Sequence, residues 1–370
     1  MKKVVVTGSN GFVGKNLTLA LKQDESYEVL EINRDTNVET RNKFLKTADV
    51  IVHLAGANRP LNNDEFEEVN VDLLNEFLKV TEQNEKKPTI ILSSSIQATQ
   101  NNPYGNSKRN AEIVLEEFAE KNGNSILIYR FPNLFGKWCK PNYNSVIATF
   151  CHNISRDQEI VVNDENVVLT LNYIDDVIIE LTNAIKGHPN IVDGKPCVPN
   201  VFEEKLGEIV RLIYKFKNSR KDKSLPYLAN PFEKVLYSTY LSYLPKDDFS
   251  YPLKMNIDER GSFTEIFKTS DRGQTSVNIS KPGITKGNHW HHTKNEKFLV
   301  VAGEGVIRFR LPGDDEVIEY FVSSDKLEVI DIPVGYTHNI ENLGDTDMVT
   351  IMWVNEIFNP EQPDTYYLEV

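Results

Sequence analysis

No apolar run in the sequence approaches the roughly eighteen residues needed to span a bilayer as a helix. Two lysines precede Val4-Val5-Val6, but Thr7-Gly8 follows at once, so this start reads as a strand and not as a secretion signal. Cysteine is scarce. Cys139, Cys151 and Cys197 form neither a close pair nor a metal-type spacing, which excludes a disulfide framework and suits free thiols in a reducing cytoplasm. Basic charge is short as well: 41 Lys and Arg face 54 Asp and Glu, a net charge of -13. That balance excludes a general nucleic-acid binder and leaves room only for a local basic pocket around one nucleotide. Internal repeats and low-complexity segments are absent too. With these classes removed, a cytoplasmic globular chain of 370 residues remains, long enough for two domains.

What is present changes character near residue 245. Up to there, short apolar runs alternate with amphipathic stretches, the pattern of a parallel sheet wrapped by helices. The runs are Val4–Val6, Glu28–Ile32, Asp49–Leu54, Thr89–Leu92 and Ser125–Tyr129. Leu244 to Pro252 holds two prolines and two aspartates, as an extended linker would. Beyond it, alternating runs such as Gly305–Arg310 and Met348–Val354 sit between Gly, Pro, Asp and Asn turns, which predicts an all-β sandwich or barrel. The predicted domains are 1–245 and 246–370.

Gly8, Gly11 and Gly14 lie between the first strand and the first helix, where backbone without Cβ can approach a pyrophosphate. Phe12 and Val13 open that helix, whose amides and dipole complete an anion site. The second strand ends Ile32-Asn33-Arg34-Asp35. Arg34 suits the 2′-phosphate of NADP, whereas Asp35, one residue on, suits the ribose of NAD. Ser93-Ser94-Ser95 ends a later strand and Pro103-Tyr104-Gly105-Asn106-Ser107-Lys108 opens a helix. Tyr104 and Lys108, four apart, share a helix face. An ammonium there is expected to lower the phenol's pKa, so that Tyr104 can protonate an oxyanion left by hydride transfer while Ser95 or Ser94 hydrogen-bonds it.

Together with Val52-His53-Leu54-Ala55-Gly56, Arg130–Gly136 and Leu171–Val177, these residues resemble the extended short-chain dehydrogenase/reductase family acting on nucleotide sugars. The resemblance implies a Rossmann-type, doubly wound parallel sheet. It implies catalytic Ser95, Tyr104 and Lys108, and a cofactor site from Gly8, Gly11, Phe12, Val13, Gly14, Arg34, His53, Ala55 and Lys108. The acidic pair that the family's dehydratases carry beside the catalytic Ser or Thr is replaced here by Ser95-Ile96, so dehydration is disfavoured.

In the second domain, Gly283, His289, His291, Glu296 and Gly303 fit a G-x5-H-x-H-x4-E-x6-G pattern, and Pro333, Gly335, His338 and Asn342 follow. Residues two apart on a strand face one side, so His289 and His291 can share a metal, with Glu296 expected from the adjoining strand and His338 as third imidazole. That donor set suits a divalent ion, zinc first and iron, manganese or nickel after it. The motifs resemble the cupin family, which implies a jelly-roll barrel commonly paired into a homodimer through its sheets.

The order of the two domains resembles bifunctional capsular-polysaccharide enzymes of the UDP-N-acetyl-L-fucosamine pathway. By that resemblance the cupin epimerises C3 of a UDP-linked 4-keto-6-deoxy-N-acetylhexosamine, and the reductase then reduces C4 with NADPH to a UDP-2-acetamido-2,6-dideoxy-L-talose. His292, Lys294 and Tyr336 are candidate bases. A plain reductase with a metal-stapled dimerisation module is the alternative.

Overall fold

The computed structural model describes residues 1–370 except 59–61 and 63. It divides into two compact units, Met1–Tyr214 with Leu228–Pro245, and Lys215–Tyr227 with Lys246–Val370. Residues 215–227, assigned from the sequence to the first domain, group with the second because backbone bonds hold them there. Leu225 N donates to Lys268 O and Lys268 N to Lys223 O, each at 2.9 Å. Among the described residues no helix is long and apolar enough to cross a membrane. All three cysteines are free.

In the first unit, β1 (Lys2–Thr7), β2 (Tyr27–Ile32), β3 (Val50–His53), β4 (Thr89–Ser95) and β5 (Ile126–Phe131) form a parallel sheet in the order β2-β1-β3-β4-β5. Its strands are apolar on both faces because helices cover both. Val4 and Val6 pack with Leu17, Leu21 and Leu181 on one side. Val5 packs with Leu45 and Phe77 on the other. The chain leaves β1 for β2 on one side and then crosses to β3 on the other. That switch opens a crevice at the carboxyl ends of β1 and β3, the place where such sheets bind ligands. A second sheet joins β6 (Asn133–Phe135), β7 (Val168–Tyr173) and β10 (Phe202–Lys205) in the order β10-β7-β6, beside a hairpin of β8 (Ile191–Val192) and β9 (Lys195–Pro196).

The second unit is all-β. One antiparallel sheet contains β11 (Asn256–Asp258), β12 (Gly261–Thr269), β13 (Gly273–Ser280), β15 (Glu296–Ala302), β18 (Ile330–Ile332) and β20 (Met348–Val354). The other contains β14 (Thr285–Trp290), β16 (Glu304–Arg310), β17 (Val317–Ser323), β19 (Thr337–Asn342) and β21 (Tyr366–Tyr367). Phe298, Val300 and Met348 of the first meet Ile307, Phe309 and Ile340 of the second in one core. The cupin resemblance implies a jelly-roll barrel, and the strand pattern a sandwich or barrel. Among the described residues no ladder joins the two sheets, so the structure is an open sandwich.

The helix Pro103–Asn122 begins with Pro103 in its first turn, and its first residues are capped by Asn102, whose Oδ1 accepts from Gly105 N at 2.8 Å. It starts so close to the 3₁₀ turn Ile96–Thr99 that a Cβ at Gly105 would lie 2.2 Å from Gln97 O. Gly105→Ala gains up to about 1 kcal/mol of helix propensity but forces backbone apart, which costs about 1–3 kcal/mol. A lower urea midpoint is therefore expected. A raised midpoint would show that the two turns separate freely.

Candidate functional site

Two clusters emerge, one in each unit. In the first, Gly8 takes φ +68° and abuts Ala55, whose N would lie 2.8 Å from a Cβ at that position. A Cβ at Gly14 would lie 2.2 Å from Gly8 O. The loop therefore lies flat against the strand end, and the helix Phe12–Leu21 opens with no side-chain cap. The amides of its first turn, including Phe12 and Val13, remain for an anion. The buried Ser9 Oγ has no partner. Such a cradle fits a dinucleotide pyrophosphate. Arg34 and Asp35 are both exposed just after β2, whose end is paired with Thr7.

His53 is buried behind the loop. Thr7 Oγ1 accepts from the amides of Leu54 and Ala55, each at 3.2 Å, so its proton goes to His53 Nδ1 at 3.0 Å. Burial, with Lys108 nearby, holds the imidazole neutral, its pKa pulled down to about 3. His53 therefore shapes the turn carrying Ala55.

The end of β4 separates its serines. Ser94 Oγ donates to the buried Glu112, which also accepts from Arg130 Nε at 2.9 Å. Ser95, on the opposite side, accepts from Gln97 N at 3.1 Å and lies on the side of Tyr104, whose phenol it influences. Of the two, Ser95 faces Tyr104. Lys108 is 8% exposed and donates to Ser93 O at 2.9 Å. Burial pulls its pKa down to about 8, against the pull of Glu112. The expected lowering of the phenol by this ammonium is not seen. Burial raises Tyr104, and the nearby Ser95 only partly offsets that. The ammonium is turned to the Ser93 carbonyl, beside Gly56, where a Cβ would lie 3.3 Å from it.

Asn70, which carries no recognisable sequence signal, braces this arrangement. Its Oδ1 accepts from Ala57 N at 3.0 Å, and its Nδ2 donates to Ser107 Oγ at 2.9 Å. It thus ties the turn after β3 to the helix bearing Tyr104 and Lys108.

In the second unit, ligand atoms of His289, His291, Glu296 and His338 all lie within 4.8 Å of one another. His289 on β14 is paired with His338 on β19. Glu296 enters from β15 in the opposite sheet, across the sandwich and not from the adjoining strand. Its Oε2 is 3.2 Å from His338 Nε2 and 3.6 Å from His291 Nε2. Burial raises Glu296, yet the two imidazoles outweigh it and hold the carboxyl at about 2. Burial and the neighbouring His338 and His291 pull His289 down to about 4. Burial lowers His291 too, but Glu296 and the Asp364 carbonyl leave it raised. His291 Nε2, Glu296 Oε2 and His338 Nε2 are buried without partners. Three orphaned donors around one point fit a divalent ion.

Asp364, a further residue with no sequence signal, orients the cluster. Its carbonyl accepts from His291 Nδ1, freeing Nε2 as a ligand. Its carboxylate takes the amides of His292, Thr293 and Lys294 at 3.0, 2.8 and 3.0 Å, which drives its pKa well below the usual carboxylate range.

A cavity of about 660 Å³ lies over the cluster, lined by His289, Glu296 and His338 together with Asp258, Arg260 and Lys286. None of the three candidate bases lines it. His292 is exposed against Trp290 and Tyr366. Lys294 Nζ donates to Pro363 O. Tyr336 packs on the apolar core near Phe309.

Comparison with known proteins places both halves. The NAD dependent epimerase/dehydratase family matches residues 4–192, and the polysaccharide biosynthesis C-terminal domain matches residues 256–366. The crystal structure of the capsular polysaccharide assembling protein CapF of Staphylococcus aureus superposes with a TM-score of 0.95 at 67% identity, covering 99% of this chain and 100% of that one. A UDP-2-acetamido-2,6-beta-L-arabino-hexul-4-ose reductase of Pseudomonas aeruginosa is 41% identical over 100% of this chain and 99% of its own length. The spore coat polysaccharide biosynthesis protein SpsL of Bacillus subtilis is 29% identical over 30% of this chain and 81% of its own length. With a glycine cradle and a Ser95–Tyr104–Lys108 cluster ahead of a histidine–carboxylate centre, the chain belongs to the NAD dependent epimerase/dehydratase family, in the branch that carries a polysaccharide biosynthesis C-terminal domain.

Proposed function

We propose that the chain is a bifunctional nucleotide-sugar enzyme. Its second unit, of cupin type, epimerises C3 of a UDP-2-acetamido-2,6-dideoxy-4-hexulose, and its first unit reduces the C4 ketone to UDP-2-acetamido-2,6-dideoxy-L-talose. The observation that carries this reading is a metal-type cluster beneath a cavity, in a chain that also holds a ketoreductase constellation. The Pseudomonas relative is named for a 4-keto UDP-sugar, and the Staphylococcus structure for capsule assembly, which supports the substrate class.

In the first unit NADPH supplies the hydride when bound. Gly8, Gly11, Gly14 and the amides of Phe12 and Val13 would hold its pyrophosphate, Ala55 would border it, and Arg34 would take its 2′-phosphate. Tyr104 donates its proton to the C4 oxygen, and Ser95 hydrogen-bonds that oxygen as charge builds on it. Lys108 would position the cofactor ribose.

In the second unit His289, His291, Glu296 and His338 would hold zinc, which supplies positive charge beside the substrate. The C3 hydrogen is α to the C4 ketone and is acidic only while that ketone exists. Epimerisation therefore precedes reduction, and reduction makes the new configuration permanent. Tyr320 and Phe321, exposed on the edge strand β17, support pairing of two copies through this unit.

Three outcomes check the reading. Tyr104→Phe should lower NADPH consumption about 10²–10⁴-fold, followed at 340 nm, while exchange at C3 continues. The 4-keto sugar incubated in heavy water without nicotinamide should take up deuterium at C3, read by NMR, and His338→Ala should suppress it. Wild-type exchange that is absent, or that survives this substitution, sinks the epimerase half and leaves the reductase standing. Chelating the metal should lower the Tm of the second unit, since an ion bound only to the folded state stabilises it; an unchanged Tm would contradict the metal assignment.

A further inference from the structure

The cavity over the histidine cluster contains ionisable groups of unequal standing. His289, Glu296 and His338 belong to the cluster itself. Asp258 and Arg260 are exposed and paired with each other at 2.6 Å. Lys286 alone is left over. It lies on β14, three residues before His289, half-buried, with no carboxylate within ion-pair distance among the described residues.

Two acceptors fix its position. Lys286 Nζ donates to Asn278 Oδ1 at 2.9 Å and to Ile279 O at 2.7 Å. An ammonium has three N–H donors, so one remains after these two bonds. Both anchors sit on β13, in the sheet opposite β14, so the strands themselves hold the charge in place before any ligand arrives. A donor fixed in advance stabilises developing charge without the cost of reorganising at the moment of reaction.

Polar side chains near it in the cavity wall are Asn256, Ser262 and Asn278. Along β13 the buried side chains are Gln274, Ser276, Asn278 and Ser280, paired along the strand as Gln274 with Ser276 and Asn278 with Ser280, and Asn278 borders the cavity.

We propose that Lys286 is a catalytic residue of the second unit, donating its third N–H to the C4 ketone oxygen of a bound 4-keto sugar and stabilising the oxyanion formed when C3 loses its proton. The proposal rests on the epimerase reading above and names the group that reading lacks. When the C3 proton leaves to solvent water, the C3–H electron pair becomes the C3–C4 π bond and the carbonyl π pair moves onto oxygen. Return of a proton from water to the other face of C3 reverses that flow. Lys286 keeps its own proton throughout, so the step consumes no oxidant, reductant or cofactor.

Deuterium wash-in at C3, measured at saturating UDP-4-keto sugar in heavy water without nicotinamide, tests this. Lys286→Met should slow wash-in about 100-fold, the loss typical of one oxyanion donor, with bound metal unchanged. Lys286→Arg keeps a cation with spare donors and should recover about a tenth of the wild-type rate or more. Wild-type wash-in that survives Lys286→Met overturns the assignment and leaves the epimerase reading intact. Equal loss in both variants also overturns it, because a residue that only props the fold gains nothing from a retained charge. No wash-in even in the wild type overturns both readings together.

Discussion

Removal of charge from water is the constraint on which both sites depend. Lys108 and Glu296 are charged groups enclosed by protein, and burial by itself would neutralise each of them. The chain offsets that cost differently in the two places. Around Lys108 it provides a backbone carbonyl and the Glu112 carboxylate, which offset only part of the burial. Around Glu296 it gathers imidazoles, and the carboxylate becomes hard to protonate. A locked anion suits a metal-type site.

Groups that touch no substrate carry much of the geometry. Asn70 joins the turn after β3 to the helix of Tyr104, and Glu112 draws Ser94 and Arg130 to the far side of β4. Asp364 gathers three successive amides and sets the tautomer of His291. Each is a short polar side chain bonded to backbone or to another side chain distant in sequence. Absent side chains matter equally: Gly8, Gly14 and Gly105 allow backbone to lie against backbone where a Cβ would collide.

In the proposed reaction the two chemistries are linked by one carbonyl. A ketone at C4 makes the C3 hydrogen removable, and its reduction ends that acidity. On the proposed function, the product of a reversible inversion is consumed by the same protein that makes it. The reaction order follows from this acidity alone.

Much of this was legible in one dimension. Alternating apolar runs marked a parallel sheet, and the glycine spacing, Tyr104 with Lys108, and the histidine pattern marked both sites, because these signals are local and set by strand and helix periods. Tertiary structure decided what those periods do not encode. It turned Ser95 and not Ser94 toward Tyr104, since only one face of β4 meets that helix start. It brought Glu296 to the histidines across the sandwich, and it took His292, Lys294 and Tyr336 away from the cavity while bringing Lys286 into it. Segment 215–227 joined the second unit through backbone bonds to Lys268, and among the described residues no ladder closed the two sheets. Each of these outcomes depends on which distant segments meet. Local residue order therefore determined the chemical groups available to this protein, and long-range packing determined which of them face one another.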